Sequence, residues 1–343
     1  MKRYSFDPQD YLERGLGGSE STLVLLAQAL ASNGHKVEVY NCCFKEGNYK
    51  GVDWKNLWRF DTTKHFDAVV SLRLLETFKT YNINSSIKAV WLHDESIKGA
   101  KKLDEDGTVN MWIFISETQK NIIQDKQNLK KENCFLTHNA FDEDIYNSKL
   151  REIEKIKNRA IYCSAPDRGL NLLLDMWQEI KQKVPDASLV VTGSYSLWGI
   201  SDEENERIFE DIYSLELEDV YLFKRIPKLE LAKLQAESEV MLYPTNFNEM
   251  FCISALECLA SGTPIITSKR GALKERIQNG INGFLIDEAF ESNEYRKKFI
   301  ECTISFFKST NKRIYFDNSV KSISKMNFEE LAKKWELEFT KKK

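Results

Sequence analysis

The chain has 343 residues, which suggests two domains at roughly 150 residues each and is long enough to bury a sizeable core. Apolar residues make up 42% and charged residues 29%, which excludes a disordered or fibrous chain. Lys+Arg total 49 against Asp+Glu 52, a net charge of −3, so no global field favours nucleic acid.

The cysteines fall at 42, 43, 134, 163, 252, 258 and 302, with no Cys-x-x-Cys pair and no Cys/His cluster. Neither a disulfide framework nor a zinc site is indicated, and reduced cytosolic thiols are expected. Met1–Pro8 lacks the apolar core of a signal peptide, and no apolar run reaches the roughly 18 residues of a membrane span.

In chain order, Tyr4-Ser5-Phe6 is at most a strand stub. Leu23, Leu26, Ala27 and Leu30 recur at helical spacing, with Gly34 placed as the C-cap glycine. Residues 35–40, 66–71, 89–92, 111–115 and 134–137 read as strands, and Ser116-Glu117-Thr118-Gln119 has capping-box spacing. The charged stretch Asp142–Arg159 is expected to be the inter-domain linker. Beyond it the alternation restarts, with strands at 160–163, 188–192, 220–223, 240–243, 264–267 and 283–286 and helices between them. Such alternation predicts two Rossmann-like, doubly wound parallel-sheet domains facing a central cleft, the default ligand site. The expected limits are 1–148 and 149–319. Phe328, Leu331, Ala332, Trp335 and Phe339 predict a last amphipathic helix, within about 320–343.

Four constellations carry candidate chemistry. Gly15-Leu16-Gly17-Gly18-Ser19-Glu20 opens the first helix, where glycines and free amides suit phosphate, although a plain glycine-rich helix entry has the same look. Asn246 to Glu257 follows a strand and places helix-start amides near Phe251–Ser254 between Glu249 and Glu257. Amides suit a diphosphate and carboxylates suit hydroxyls on either side of it; the spacing alone leaves open two unrelated exposed glutamates. Arg168 lies in a strand-to-helix loop where a cation suits phosphate, although a plain surface arginine before a helix fits equally, and His93 directly follows a buried strand, although a lone histidine there is also read as structural. Asp104-Glu105-Asp106 and Asp142-Glu143-Asp144 match an Asp-x-Asp metal pattern, but neither directly follows a convincing central strand, and both read as solvated turns.

Together these residues resemble a retaining glycosyltransferase of the GT-B fold, close to glycosyltransferase family 4, the group 1 transferases. Gly17-Gly18-Ser19-Glu20, Asn139-Ala140-Phe141-Asp142, the pair Glu249 and Glu257, Ser261-Gly262-Thr263-Pro264, Gly271, Glu275 and Asn279–Phe284 match that family in order and spacing. The resemblance implies transfer of a sugar from a nucleoside diphosphate sugar, a UDP- or GDP-sugar, to a hydroxyl of a carbohydrate-bearing acceptor. It implies no metal and no resident cofactor, and it admits peripheral membrane association. Gly17 and Gly18 would lie near the donor phosphate and acceptor, and His93 would contact the donor sugar. Arg168 matches the Lys of the family's Arg-x-x-x-x-Lys diphosphate pair, while Cys163 stands where its Arg would be. Glu249 would hold sugar hydroxyls, and Met250, Phe251, Cys252 and Ile253 would line the donor with their backbone. Glu257 would hold the ribose, and Arg225-Ile226 would read the base. The family's usual first strand is reduced or absent here. Its last helix returns to the first domain, which would make both crossings, near 142–159 and 310–326, flex on closure. Rival readings are a GT-B sugar-nucleotide epimerase and a catalytically silent homologue that stabilises a partner enzyme.

Overall fold

The computed structural model describes residues 5–195 and 202–342; Tyr4 of the expected strand stub lies outside them. The chain forms two compact units. The amino-terminal unit comprises Ser5–Pro8, Gly18–Ala140 and the residues from Met326 onward, and the carboxyl-terminal unit comprises Gln9–Gly17 and Phe141–Lys325.

The amino-terminal unit carries β1 Val37–Asn41, β2 Gly47–Tyr49, β3 Val52–Asn56, β4 Phe66–Leu72, β5 Ser85–Trp91, β6 Met111–Phe114 and β7 Cys134–Leu136. They form two sheets, β1-β3-β2 and β4-β5-β6-β7. The second is wholly parallel, and its hydrophobic cluster includes Val90, Leu92, Trp112, Phe114 and Ile123. In the first, β1 and β3 are parallel while β2 turns back antiparallel on β3. Ser5 and Phe6 form no strand; the Phe6 ring instead packs edge-on against Trp54.

The helix Gly18–Ser32 buries Val24, Leu26 and Ala27, and Gly34 follows it at φ +93°, the left-handed turn a C-cap needs. Against it packs the last helix, Phe328–Lys342, which buries Leu331, Ala332 and Trp335. The Trp335 ring meets Trp91 at 4.8 Å and Phe135 at 6.1 Å, and its indole N–H donates to Thr137 Oγ1 at 3.2 Å. A buried indole that keeps a polar partner gives this helix one docked register.

The carboxyl-terminal unit carries β8 Arg159–Cys163, β9 Ser188–Thr192, β10 Val220–Phe223, β11 Val240–Tyr243, β12 Ile265–Ser268 and β13 Gly283–Ile286. All pair in parallel, in the order β10-β9-β8-β11-β12-β13. Winding runs outward from β8 in one direction and from β11 in the other. β8 and β11 therefore flank the topological switch point, where an open parallel sheet has its ligand crevice at the carboxyl ends of the strands.

The stretch expected as a linker, Asp142–Arg159, is packed into this unit. Tyr146 and Asn158 are buried, the Tyr146 hydroxyl donates to Gln235 Oε1 at 2.8 Å, and Ile156 N–H donates to Glu237 O. Its high charge marks an outer face, not a loose tether.

Candidate functional site

The crevice at β8 and β11 is built by backbone fit. After β8 comes a 3₁₀ turn, Pro166–Arg168, closed by Gly169 at φ +102°. A Cβ on Gly169 would fall 1.6 Å from Pro244 O, so only glycine lets the two loops touch. That approach brings Arg168 to Glu249: Arg168 Nη1 donates to Glu249 Oε1 at 2.8 Å. The guanidinium also covers the Phe247 ring at 4.0 Å. Tyr243 donates its hydroxyl to the same carboxylate oxygen at 2.6 Å, and Ser164 Oγ donates to Tyr243 at 3.2 Å.

Glu249 is only 5% exposed, and its main chain is clamped as well. Ala272 N–H donates to Glu249 O at 2.7 Å, and a Cβ on Gly271 would approach that oxygen to 2.4 Å. Burial opposes the charge on Arg168, but Glu249 outweighs it and holds the guanidinium above its usual range. Burial and then Glu249 push the Tyr243 phenol far up, so it stays a donor.

Met250, Phe251 and Cys252 bury their side chains. Cys252 sits at φ +67° immediately before the helix Ile253–Ala260, whose first amides have no partner within the helix. Burial pushes the Cys252 thiol up to about 12, and the Arg276 guanidinium stacks on Phe251 at 3.7 Å. Glu257, further along this helix, pairs with Lys228.

The segment 9–17 belongs to this unit. Arg225 donates to Arg14 O at 2.6 Å and Gly15 O at 2.5 Å, and Gly15 at φ +73° leaves room for Ile226 O. Cys163 does not point into the crevice. Its thiol is buried 3.6 Å from Cys258 Sγ, and Gln235 Nε2 lies 3.7 Å away. Packing between the sheet and its covering helices holds this sulfur, so it offers a donor no side-chain contact.

The amino-terminal unit carries its own polar group at the carboxyl ends of β4 and β5. Arg73 adopts φ +67°, a conformation unusual for a side chain this large, and makes a two-point pair with Asp94 at 2.7 and 2.8 Å. The His93 ring lies tilted against Trp91, centroids 4.9 Å apart, and its buried Nε2 has no hydrogen-bond partner. Burial, helped by Arg73, lowers His93 to about 3, so the ring is neutral near pH 7. Glu20, on the first turn of the Gly18–Ser32 helix, is raised by burial. Gly17 and Gly18 fall on either side of the boundary between the units.

The Asp104 stretch differs from the solvated turn expected, whereas Asp142-Glu143-Asp144 does run into a turn with Glu143 and Asp144 exposed. Asp104 is buried on a helix and accepts from Trp112 Nε1, Asn133 Nδ2 and Lys130 N at 2.8 to 2.9 Å. Asp142 accepts the Tyr11 hydroxyl at 3.0 Å. Among the described residues no three His, Cys, Asp or Glu side chains gather as metal ligands, and no helix is long and apolar enough to cross a membrane. Sequence reasoning missed Tyr243, Ser164, Lys228, Tyr11, Arg73 and Asp94. For Tyr243 alone a signal existed, as the last residue of a buried strand directly before the Glu249 loop.

Residues 152–312 match the family model of the group 1 glycosyl transferases. A D-inositol 3-phosphate glycosyltransferase of Segniliparus rotundus is 29% identical over 122 residues, 36% of this chain and 26% of that protein. The chain spans 26% to 35% of the length of the first curated relatives it matches. Sucrose-phosphate synthase from Thermosynechococcus elongatus superposes with a TM-score of 0.74 over 98% of this chain and 97% of its own, at 15% identity. Anabaena HepE, solved with UDP and glucose, gives a TM-score of 0.68 over 95% and 96%, at 15% identity. At such identities the likeness concerns fold alone. The chain has the GT-B fold.

Proposed function

We propose that this protein moves a sugar from a nucleoside diphosphate sugar to an acceptor hydroxyl, retaining the configuration of the anomeric carbon and using no metal. The observation that carries the reading is the Arg168–Glu249 pair beside the start of the Ile253–Ala260 helix, inside the span that matches the group 1 model.

As the glycosidic bond breaks, negative charge grows on the leaving diphosphate and the sugar becomes oxocarbenium-like. Arg168 and the helix amides answer the first change. Glu249, clamped through its main chain, is suited to sugar hydroxyls through the oxygen that Arg168 and Tyr243 do not occupy. The unpartnered, neutral His93 imidazole suits a hydroxyl, not an anion. With Cys163 turned into the core, Arg168 and the amides carry the diphosphate charge that the family shares with a second cation. That same loss, together with the reduced first strand, is what favours a silent, partner-stabilising homologue.

A melting panel with UDP-, GDP- and ADP-sugars, followed by an assay of nucleoside diphosphate release, tests the reading. One donor at 100 times its dissociation constant should stabilise by about 2.7 kcal/mol and be turned over. Stabilisation without turnover at any acceptor favours the silent homologue, and no stabilisation by any donor overturns donor binding.

A further inference from the structure

Lys228 and Glu257 form a buried ion pair that folding alone gives little reason to keep. Lys228 is the first residue of the helix Lys228–Glu237, where a cation opposes the helix dipole. Glu257 lies in the second half of the helix Ile253–Ala260, where an anion does the same. Both side chains are under 10% exposed, and burying such a pair costs desolvation that an apolar pair would avoid. The ammonium is further wrapped by ring faces, Tyr11 at 5.8 Å and Tyr146 at 5.4 Å. Each ring is itself fixed, Tyr11 through Asp142 and Tyr146 through Gln235. Lys228 therefore has a determined position, and it meets Glu257 through Oε1 alone. Among the described residues Oε2 accepts no hydrogen bond, although it belongs to a carboxylate that is nearly enclosed.

We infer that Lys228 is a positioning residue for the nucleoside half of the donor: it pins Glu257 Oε1 so that Oε2 is presented to a vicinal pair of ribose hydroxyls. The inference rests on the donor reading above and goes beyond it by giving the buried lysine a task. A carboxylate with one oxygen held and one vacant is matched to a diol, because it cannot rotate away from the hydroxyl it accepts. Lys228 also stands two residues after Ile226, so one short segment links the backbone at Arg225-Ile226 with the group that aligns Glu257.

Calorimetric titration of the full-length chain with UDP, GDP, ADP and inorganic pyrophosphate tests this. Lys228→Met should weaken the best-binding nucleoside diphosphate at least tenfold and leave pyrophosphate within about twofold. Glu257→Gln should show the same loss, the double variant no further loss, and Lys228→Arg should recover most of the affinity. A folded Lys228→Met that binds the nucleotide like the wild type overturns the inference, as does an equal loss for pyrophosphate. If Lys228→Met does not fold, Lys228→Arg and the double variant, which leaves no unpaired charge, decide by the same affinities. A wild type that binds none of the three nucleotides takes down the donor reading and this inference together. A wild type that binds, with additive variant losses, removes only the inference.

Discussion

The two units handle polar groups at their strand ends in opposite ways. In the carboxyl-terminal unit the site side chains bond one another: Ser164, Tyr243, Glu249 and Arg168 form one chain of donors and acceptors, and Lys228 closes on Glu257, each carboxylate keeping one oxygen outside these bonds. In the amino-terminal unit Arg73 and Asp94 pair near solvent, while His93 keeps a buried nitrogen unsatisfied. A connected network fixes geometry in advance, whereas an orphan costs stability until something fills it. The family match falls wholly within the carboxyl-terminal unit.

The sharpest way to break this comparison is to cut the connected network at its centre. Glu249→Ala should reduce transfer by at least 10²–10³-fold while the protein stays folded, because Arg168 keeps Phe247 and Tyr243 keeps Ser164. Turnover within a few-fold of wild type on a folded variant would remove Glu249 from the chemistry.

The next effect is on stability and should be confined to the other unit. Trp335→Ala removes a buried indole from Trp91 and Phe135 and should cost about 3–5 kcal/mol. Hydrogen exchange should speed up across Gly18–Ala140 and stay unchanged across Phe141–Lys325; uniform acceleration would contradict the division.

A smaller effect follows from His93. Its folded value near 3 lies below the ordinary value of 6.5, so the unfolded chain binds the extra proton first as pH falls. Stability is complete above about pH 6.5 and is lost progressively toward pH 3, by about 2 kcal/mol at pH 5 as a ceiling. Melting curves of His93→Gln should lose this acid dependence; an identical pH profile would place the sensitivity elsewhere. The smallest expected effect is none: activity should survive EDTA, and loss restored by manganese would point to a different mechanism.

The alternation of strands and helices was legible because buried parallel strands read as short apolar runs, and every strand expected from such runs forms. β2 and β3 were not legible. Gly47-Asn48-Tyr49 has no apolar run, and Val52-Asp53-Trp54 carries its period-two signal on only two side chains. At the site, Glu249 and Glu257 were legible as a pair only through the family resemblance, because their spacing alone left two unrelated exposed glutamates open. The partners were not, since Tyr243 and Lys228 reach these carboxylates only through the strand order. Asp104 misled for the same reason: its sequence neighbours are charged, but its donors come from Trp112, Lys130 and Asn133.

The docking of Phe328–Lys342 beside Gly18–Ser32 has a consequence for biosynthesis. The core that Trp335 completes is laid down early on the ribosome, yet its last piece emerges only after the whole carboxyl-terminal unit has been translated. During that interval Trp91 and Phe135 lack their cover, and a nascent chain stalled before residue 326 presents them to chaperones. A gene truncated there, or a chimaera that exchanges only residues 1–140, inherits the same open surface, so a graft of this unit must carry its distant tail along.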